Sequence, residues 1–184
     1  MMKFSKYIAF LRAINVGGHT VTMVQLRKSF EKLGFSNVET FIASGNVIFD
    51  TAARSAAKLE RMIEAALREE LGYEVATFIR TPAEVASVAA YRPFSDAEIA
   101  KSHDLYIGFL TAAPAAEAEQ KLMSLASDND AFHVAGREVY WLVRTKMSES
   151  RFTGAMIEKT LRLPTTMRNV RTIRRIVEKV MGDR

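Results

Sequence analysis

The chain has 184 residues, 48% of them apolar, with 26 Lys and Arg against 21 Asp and Glu and a net charge of +5. That composition excludes a disordered chain, and a polypeptide of this size buries roughly 70% of its unfolded surface without needing cross-links. There is no cysteine, which excludes disulfides and thiolate metal sites and fits a reducing compartment.

The charge is uneven. Residues 1–150 carry 17 basic and 18 acidic residues, whereas residues 151–184 carry nine basic residues against Glu158, Glu178 and Asp183, a net of +6. The excess therefore belongs to one terminal segment, which is a sharper partner signal than a diffuse charge. Near the N-terminus the apolar run Tyr7 to Leu11 stops at Arg12. It is too short for a secretory core of roughly 7–15 residues, and no stretch reaches the about 20 of a membrane helix. The expected location is cytoplasmic, with no membrane partner.

Tyr7 to Ile14 reads as a strand, followed by the loop Asn15-Val16-Gly17-Gly18-His19. Thr22 and Gln25 make a capping box, so a helix begins at Met23, with Met23, Leu26, Phe30 and Leu33 as its expected buried stripe and Gly34 as its stop. Val38 to Ala43 and Val47 to Phe49 read as strands joined by a Ser44-Gly45-Asn46 turn. A helix over residues 53–71 presents Leu59, Met62, Ile63, Ala66 and Leu67, and Val75 to Ile79 is the next strand. The order β-α-β-β-α-β is the ferredoxin-like arrangement.

Thr81 to Glu84 and Ser95 to Glu98 are capping boxes that start two short helices, separated by Arg92-Pro93. Leu105 to Leu110 then reads as a strand, 114–126 as a helix, Ala131 to Val134 and Val139 to Val143 as a hairpin, and Arg151 to Arg162 as a helix. This β-α-β-β-α order repeats that of the first half in topology, with no residue-level identity apparent between the halves. Tyr140 and Trp141 point to opposite faces of their strand, so a one-sided sheet buries only one of them. A last helix is expected from Met167 to Met181, with Thr166 as N-cap. The chain is thus read as α+β, with an N-terminal half over 1–80, a helical connector over 81–104 and a second half with a basic terminal helix over 105–184.

Three stretches resemble a known family. Arg12-Ala13-Ile14-Asn15-Val16-Gly17-Gly18, Ile42-Ala43-Ser44-Gly45-Asn46-Val47-Ile48-Phe49 and Thr166-Met167-Arg168-Asn169-Val170-Arg171-Thr172 are similar, in order and spacing, to the R-G-I-N-V-G-G, Y-I-Q-S-G-N-V-x-F and T-x-R-N-W-x-T motifs of the bacterial family called domain of unknown function 1697. Asp104 to Leu110 resembles its central strand, and the likeness spans nearly the whole chain. The chain departs from the pattern at Ala13, where Gly is usual, at Arg92-Pro93-Phe94, where Asn-Pro-Phe is usual, and at Val170, where Trp is usual. The resemblance implies two ferredoxin-like halves with extra C-terminal helices. It implies no reaction.

Catalytic signals are thin. His19, His103 and His133 lack metal-ligand spacing, no G-x-S-x-G elbow surrounds Ser44, and no phosphate-loop motif occurs. No catalytic residue, metal or cofactor is expected. The candidate ligand-binding residues are Arg12, Asn15, Gly17, Gly18, Ser44, Asn46, Arg168 and Asn169. The glycines serve either a tight connection or an anion's approach to backbone N–H groups. Ser44 and Asn46 serve either a turn or a pocket. Arg12, interrupting a strand, either reaches water or needs an anionic partner. Asn169 projects among the apolar residues of the expected helix, so it either fastens the helix start or meets a ligand. On the wheel, Val170, Ile173, Ile176, Val177 and Val180 oppose Arg168, Arg171, Arg174, Arg175 and Lys179. Such a basic face suits phosphate contacts through Arg171, Arg174, Arg175 and Lys179, or is simply a solvated surface. The leading expectation is a binding protein for an anionic ligand, nucleic acid or a nucleotide. The alternatives are an enzyme acting on a small phosphorylated or carboxylated metabolite, and a scaffold or oligomerisation module.

Overall fold

The computed structural model describes residues 4–15, 18, 20–42 and 45–182. The chain forms two compact units, Met1–Val85 with Val180–Arg184, and Ala86–Lys179. In the first, β1 (Ser5–Leu11), α1 (Met23–Lys32), β2 (Ser36–Thr40), β3 (Asn46–Thr51), α2 (Ala56–Leu71) and β4 (Thr77–Arg80) build a four-stranded sheet of order β2-β3-β1-β4. After α3 (Pro82–Ala90) and α4 (Asp96–Lys101), the second unit repeats the pattern with β5 (Asp104–Leu110), α5 (Ala116–Ser124), β6 (Asp130–Ala135), β7 (Glu138–Val143), α6 (Gly154–Leu161) and β8 (Thr165–Asn169), in the order β6-β7-β5-β8. The last helix, α7, is Val170–Gly182. The fold is a duplicated ferredoxin-like α+β arrangement with helix added at the C-terminal end.

Local chemistry explains the elements. The Thr22 hydroxyl accepts from Gln25 N while the Gln25 side chain accepts from Thr22 N, so both partners of the capping box are in place at α1. Leu26 and Phe30 are buried from α1, and Leu59, Ile63 and Leu67 from α2, against Tyr7, Ala9, Leu11, Val47, Phe49 and Ile79 of the sheet. Phe49 stacks on Phe35 and meets Phe30 edge-on. Met23 and Met62, expected in the buried stripes, are instead exposed. They lie at the margins of their stripes, where a flexible thioether tolerates water. The second core joins Leu110, Leu122, Phe132, Val134, Val139, Trp141, Ile157 and Leu161. Burying the indole N–H requires an acceptor, and Asp130 Oδ1 supplies it at 2.8 Å while also accepting from Ser150 Oγ at 2.8 Å.

Other expectations change as well. The terminal helix starts at Val170, not Met167, because Thr165–Asn169 is a strand pairing with β5. Thr166 is therefore a buried strand residue and not an N-cap. Tyr140 and Trp141 are both buried, at 2% and 0% exposure. Tyr140 achieves this on the face opposite Trp141 by packing on Tyr91 and donating to Val88 O. Finally, β3, β1 and β4 share one register with β7, β5 and β8, and that register reveals a residue-level repeat. Ile8 faces both Arg80 and Ile48, as Ile107 faces both Arg168 and Tyr140. Tyr7-Ile8-Ala9-Phe10-Leu11 then superposes on Tyr106-Ile107-Gly108-Phe109-Leu110, and Thr77 to Arg80 on Thr165 to Arg168. Even the side chains guarding the last strand recur, with Glu64 accepting from Thr77 N and Glu158 from Thr165 N, each at 2.9 Å. Occupied edge N–H groups leave less for a foreign strand to pair with.

The repeat differs at its centre. Gly108 stands where the first unit has Ala9, and a Cβ there would lie 2.6 Å from both Val139 Cγ1 and Met167 Sδ. Val139 is β-branched and cannot swing away. Gly108→Ala is expected to lose about 1–3 kcal/mol by overpacking, measured as a lower urea midpoint with unchanged slope.

Candidate functional site

At one end of the first sheet the chain leaves β1, loops, and meets the β2–β3 turn. Leu11 N donates to Gly45 O at 2.8 Å, so the strand end and the turn do approach one another. The contact needs glycine. Gly45 has φ +75°, and a Cβ on it would sit 2.9 Å from Ile14 Cγ2. The Asn46 side chain is buried and donates to Phe41 O at 3.0 Å. Asn15 Oδ1 accepts from Val21 N at 2.6 Å, and Tyr73 donates its hydroxyl to Ile14 O at 2.8 Å. Arg12 is half-buried, with its N–H on Ala76 O. Gly18 is exposed, with φ +87° and nothing near its position for a Cβ. Gly17 and Ser44 lie outside the described residues.

Two residues here adopt left-handed backbone without being glycine, Ala13 with φ 53° and Ile42 with φ 59°. Ala13 occupies the place where the R-G-I-N-V-G-G pattern has Gly, and the sign of φ is the physical reason for that preference.

The second unit gathers polar groups that the sequence did not nominate. Asp104, first residue of β5, keeps only 11% of its side chain exposed. Its Oδ1 accepts from Asn169 Nδ2 at 2.8 Å and pairs with Arg171 Nη2 at 2.7 Å. Its Oδ2 meets His103 Nδ1 at 3.2 Å and the Tyr106 hydroxyl at 3.3 Å. Burial is the strongest single influence on the carboxyl and opposes ionisation. The hydrogen bond from Asn169, the charge of Arg171 and the bonds from His103 and Tyr106 together overcome it, holding the carboxyl below the usual range. The Tyr106 hydroxyl is pushed up, first by burial and then by the neighbouring carboxylate. Asn169 Oδ1 accepts from Arg171 N at 2.9 Å, capping the first turn of α7. Asn169 thus fastens the helix start, one of the two roles open to it from its position.

Beyond the cap, α7 buries Val170, Ile173, Ile176 and Val180 and exposes Arg171, Arg174 and Arg175. Lys179 is half-buried. Arg168 belongs to the interior, at 6% exposure, and donates to Thr166 Oγ1 at 2.8 Å and Met167 O at 2.9 Å. Desolvation pushes its guanidinium down to about 10. Arg80, its counterpart in the first unit, is buried and donates likewise to the preceding carbonyl, Ile79 O, at 3.0 Å. A guanidinium recurring at this register fits a structural role for Arg168. Arg12, Asn15, Gly18 and Asn46 thus fall in the first unit. Arg168, Asn169, Arg171, Arg174, Arg175 and Lys179 fall in the second. A cleft of ≈ 230 Å³ beside α5 and α6, lined by Glu117, Lys121, Thr160 and Arg162 among others, includes none of them.

Sequence reasoning missed His103, Asp104 and Tyr106. The period-two spacing puts Asp104 and Tyr106 on one face, but their convergence on Asn169 depends on the β5–β8 register, in which Tyr106 faces Asn169. Among the described residues no group of three His, Asp or Glu side chains is placed to hold a metal ion, and no helix is long and apolar enough to cross a membrane.

Two outcomes are expected. Ala13→Gly relieves the left-handed alanine and raises stability by up to about 1 kcal/mol, seen as a higher denaturation midpoint. Because the folded-state carboxyl of Asp104 lies below its unfolded value, its contribution is complete above that unfolded value, about 3.9, and is lost as pH falls through the folded one. The melting-temperature gap between the wild type and Asp104→Asn is therefore expected to be widest near neutrality and to narrow on acidification.

A conserved bacterial protein from Streptococcus pneumoniae has a similar solved structure, with a TM-score of 0.75 and 22% identity, covering 97% of this chain and 99% of that one. At that identity the likeness speaks for the fold alone. No curated protein matches the chain. The family model described as protein of unknown function (DUF1697) matches residues 4–140, and on that match, with the duplicated fold beside it, the chain belongs to the DUF1697 family.

Proposed function

We propose that this protein binds an anionic ligand, foremost nucleic acid, through the outward face of α7. The observation that carries the reading is the placement of Arg171, Arg174 and Arg175. One turn of helix separates the first from the last, all three are exposed, and the opposite side of the helix is anchored in the core by Ile173 and Ile176. An anchored helix holds its cations in place, so little order is lost when phosphates arrive. Guanidinium groups suit phosphate because their paired N–H donors match two of its oxygens. Lys179 lies at the margin of the same face.

The face also carries an acid. At 100° per residue Glu178 falls between Arg174 and Arg175 on the wheel, and it is exposed. Three arginines against one glutamate leave a modest excess, which favours a ligand with many charges over one with few. A polyanion gains from each phosphate it places and from the counterions it releases.

The test is a salt titration with a mixed-sequence oligonucleotide. Binding at low salt is expected, with the logarithm of affinity falling linearly with the logarithm of salt concentration. Arg174→Ala with Arg175→Ala should flatten that line by about 1.4–1.8, at roughly 0.7–0.9 per phosphate contact, while Glu178→Gln should tighten binding. No detectable complex at low salt, or a slope indifferent to both arginines, defeats the reading.

A further inference from the structure

The two units solve the same construction problem differently. In each, the last strand of the sheet runs straight into a helix whose first N–H groups need acceptors. The first unit uses a local device. Thr81 follows β4, its hydroxyl accepts from Glu84 N at 3.2 Å, and Glu84 Oε2 accepts from Thr81 N at 2.7 Å. In the shared register, Thr81 corresponds to Asn169, Ala83 to Arg171, Ser5 to Asp104 and Phe4 to His103. The fold alone therefore does not require an acid at the start of the central strand, nor an arginine in the first turn of the helix. In the second unit Asn169 already caps Arg171 N unaided. The Asp104–Arg171 pair is an addition to that cap, and it sits at one end of the exposed arginine row.

The pair is lopsided. Asp104 is held from four sides and is nearly covered, whereas Arg171 keeps 70% of its side chain in water. The carboxylate is fixed and the guanidinium is free to turn outward. An ion pair with so exposed a partner is weak and is screened by salt, so a phosphate arriving beside Arg174 competes with it directly. We propose that Asp104 is the internal counter-ion of the α7 face, holding Arg171 until a phosphate takes it and thereby lowering affinity for polyanions. This rests on the reading of α7 as an anion-binding face. The groups around the exchange are His103, Tyr106 and Asn169, which keep the carboxylate solvated after Arg171 leaves, so the swap does not strand a buried charge.

The experiment compares the wild type, Asp104→Asn, Arg171→Ala and the double variant in salt titrations against one mixed-sequence oligonucleotide, each checked for folding by circular dichroism. Asp104→Asn is expected to bind several-fold more tightly at low salt, because a phosphate no longer has to displace the carboxylate from Arg171. Adding Arg171→Ala should abolish that gain. In the wild-type background Arg171→Ala should cost clearly less affinity at low salt than Arg174→Ala does, because what Arg171 gains from a phosphate is partly offset by leaving Asp104. That comparison stands even if Asp104→Asn folds poorly. Equal losses from Arg171→Ala and Arg174→Ala, or an Asp104→Asn protein that is folded and binds no tighter, overturn the counter-ion role while leaving the α7 reading intact. No binding by wild type or by Asp104→Asn overturns both.

Discussion

One carboxylate ties the start of β5 to the β8–α7 junction in the second unit. Asp104 sits where β5 begins, and through Asn169 and Arg171 it reaches the residue that ends β8 and the first turn of α7. Where the strand stops decides the phase of the helix that follows, since every residue adds 100°. A helix starting at Val170 turns Ile173, Ile176 and Val180 inward and Arg171, Arg174 and Arg175 outward. A carboxylate buried to this degree persists only because both its oxygens are occupied. Its four partners come from three neighbouring segments: the residue before β5, β5 itself, and the β8–α7 junction.

Duplication makes that arrangement interpretable. A single copy of a fold leaves it uncertain which polar contacts are structural. Two copies with three strands in matching register act as controls for one another. What recurs is Tyr, Ile, Phe and Leu along the central strand, an inward arginine at the end of the last strand, and a helix glutamate on the first N–H of that strand. These features belong to the fold. What does not recur is Asp104 with Asn169 and Arg171 in the second unit, and the loop built around Ala13, Ile42 and Gly45 in the first. Each unit thus carries local specialisations on a shared frame.

The frame was legible in the sequence because its signals are local. Capping boxes at Thr22, Thr81 and Ser95 place helix starts, and each is present as written. Strand β8 was illegible because Thr165 to Asn169 is polar, short and continuous with a helix of strong periodicity, so the helical pattern absorbs it. Its strand character comes from pairing with β5, a contact spanning about sixty residues that no local window contains. The same strand hid both the residue-level repeat and the Asp104 cluster, since both are visible only once Tyr106 is set opposite Asn169. The arginine row was legible, but the pairing of Arg171 was not, because its acid lies on another element. Gly108 illustrates the converse. Its sequence context reads as an ordinary strand glycine, and only the crowding by Val139 and Met167 shows why a methyl is excluded.

The charge of the terminal segment should then be divided by what each residue does. Arg168 is enclosed and hydrogen-bonded within its own strand, so its charge is not on offer at the surface. Arg171 is exposed but held by Asp104. Glu178 offsets part of what Arg174 and Arg175 present, at separations of four and three residues, where side chains on a helix are neighbours. The excess of +6 over residues 151–184 therefore overstates the positive field that a ligand meets on α7. A small anion would find one or two cations there, with water on most sides, where a unit charge gains little. On the proposed reading of α7, an extended chain of phosphates would reach Arg174 and Arg175 together and draw Arg171 away from its carboxylate. Affinity in such a case grows with the number of charges engaged. On that reading, the internal acids would lower what each phosphate contributes.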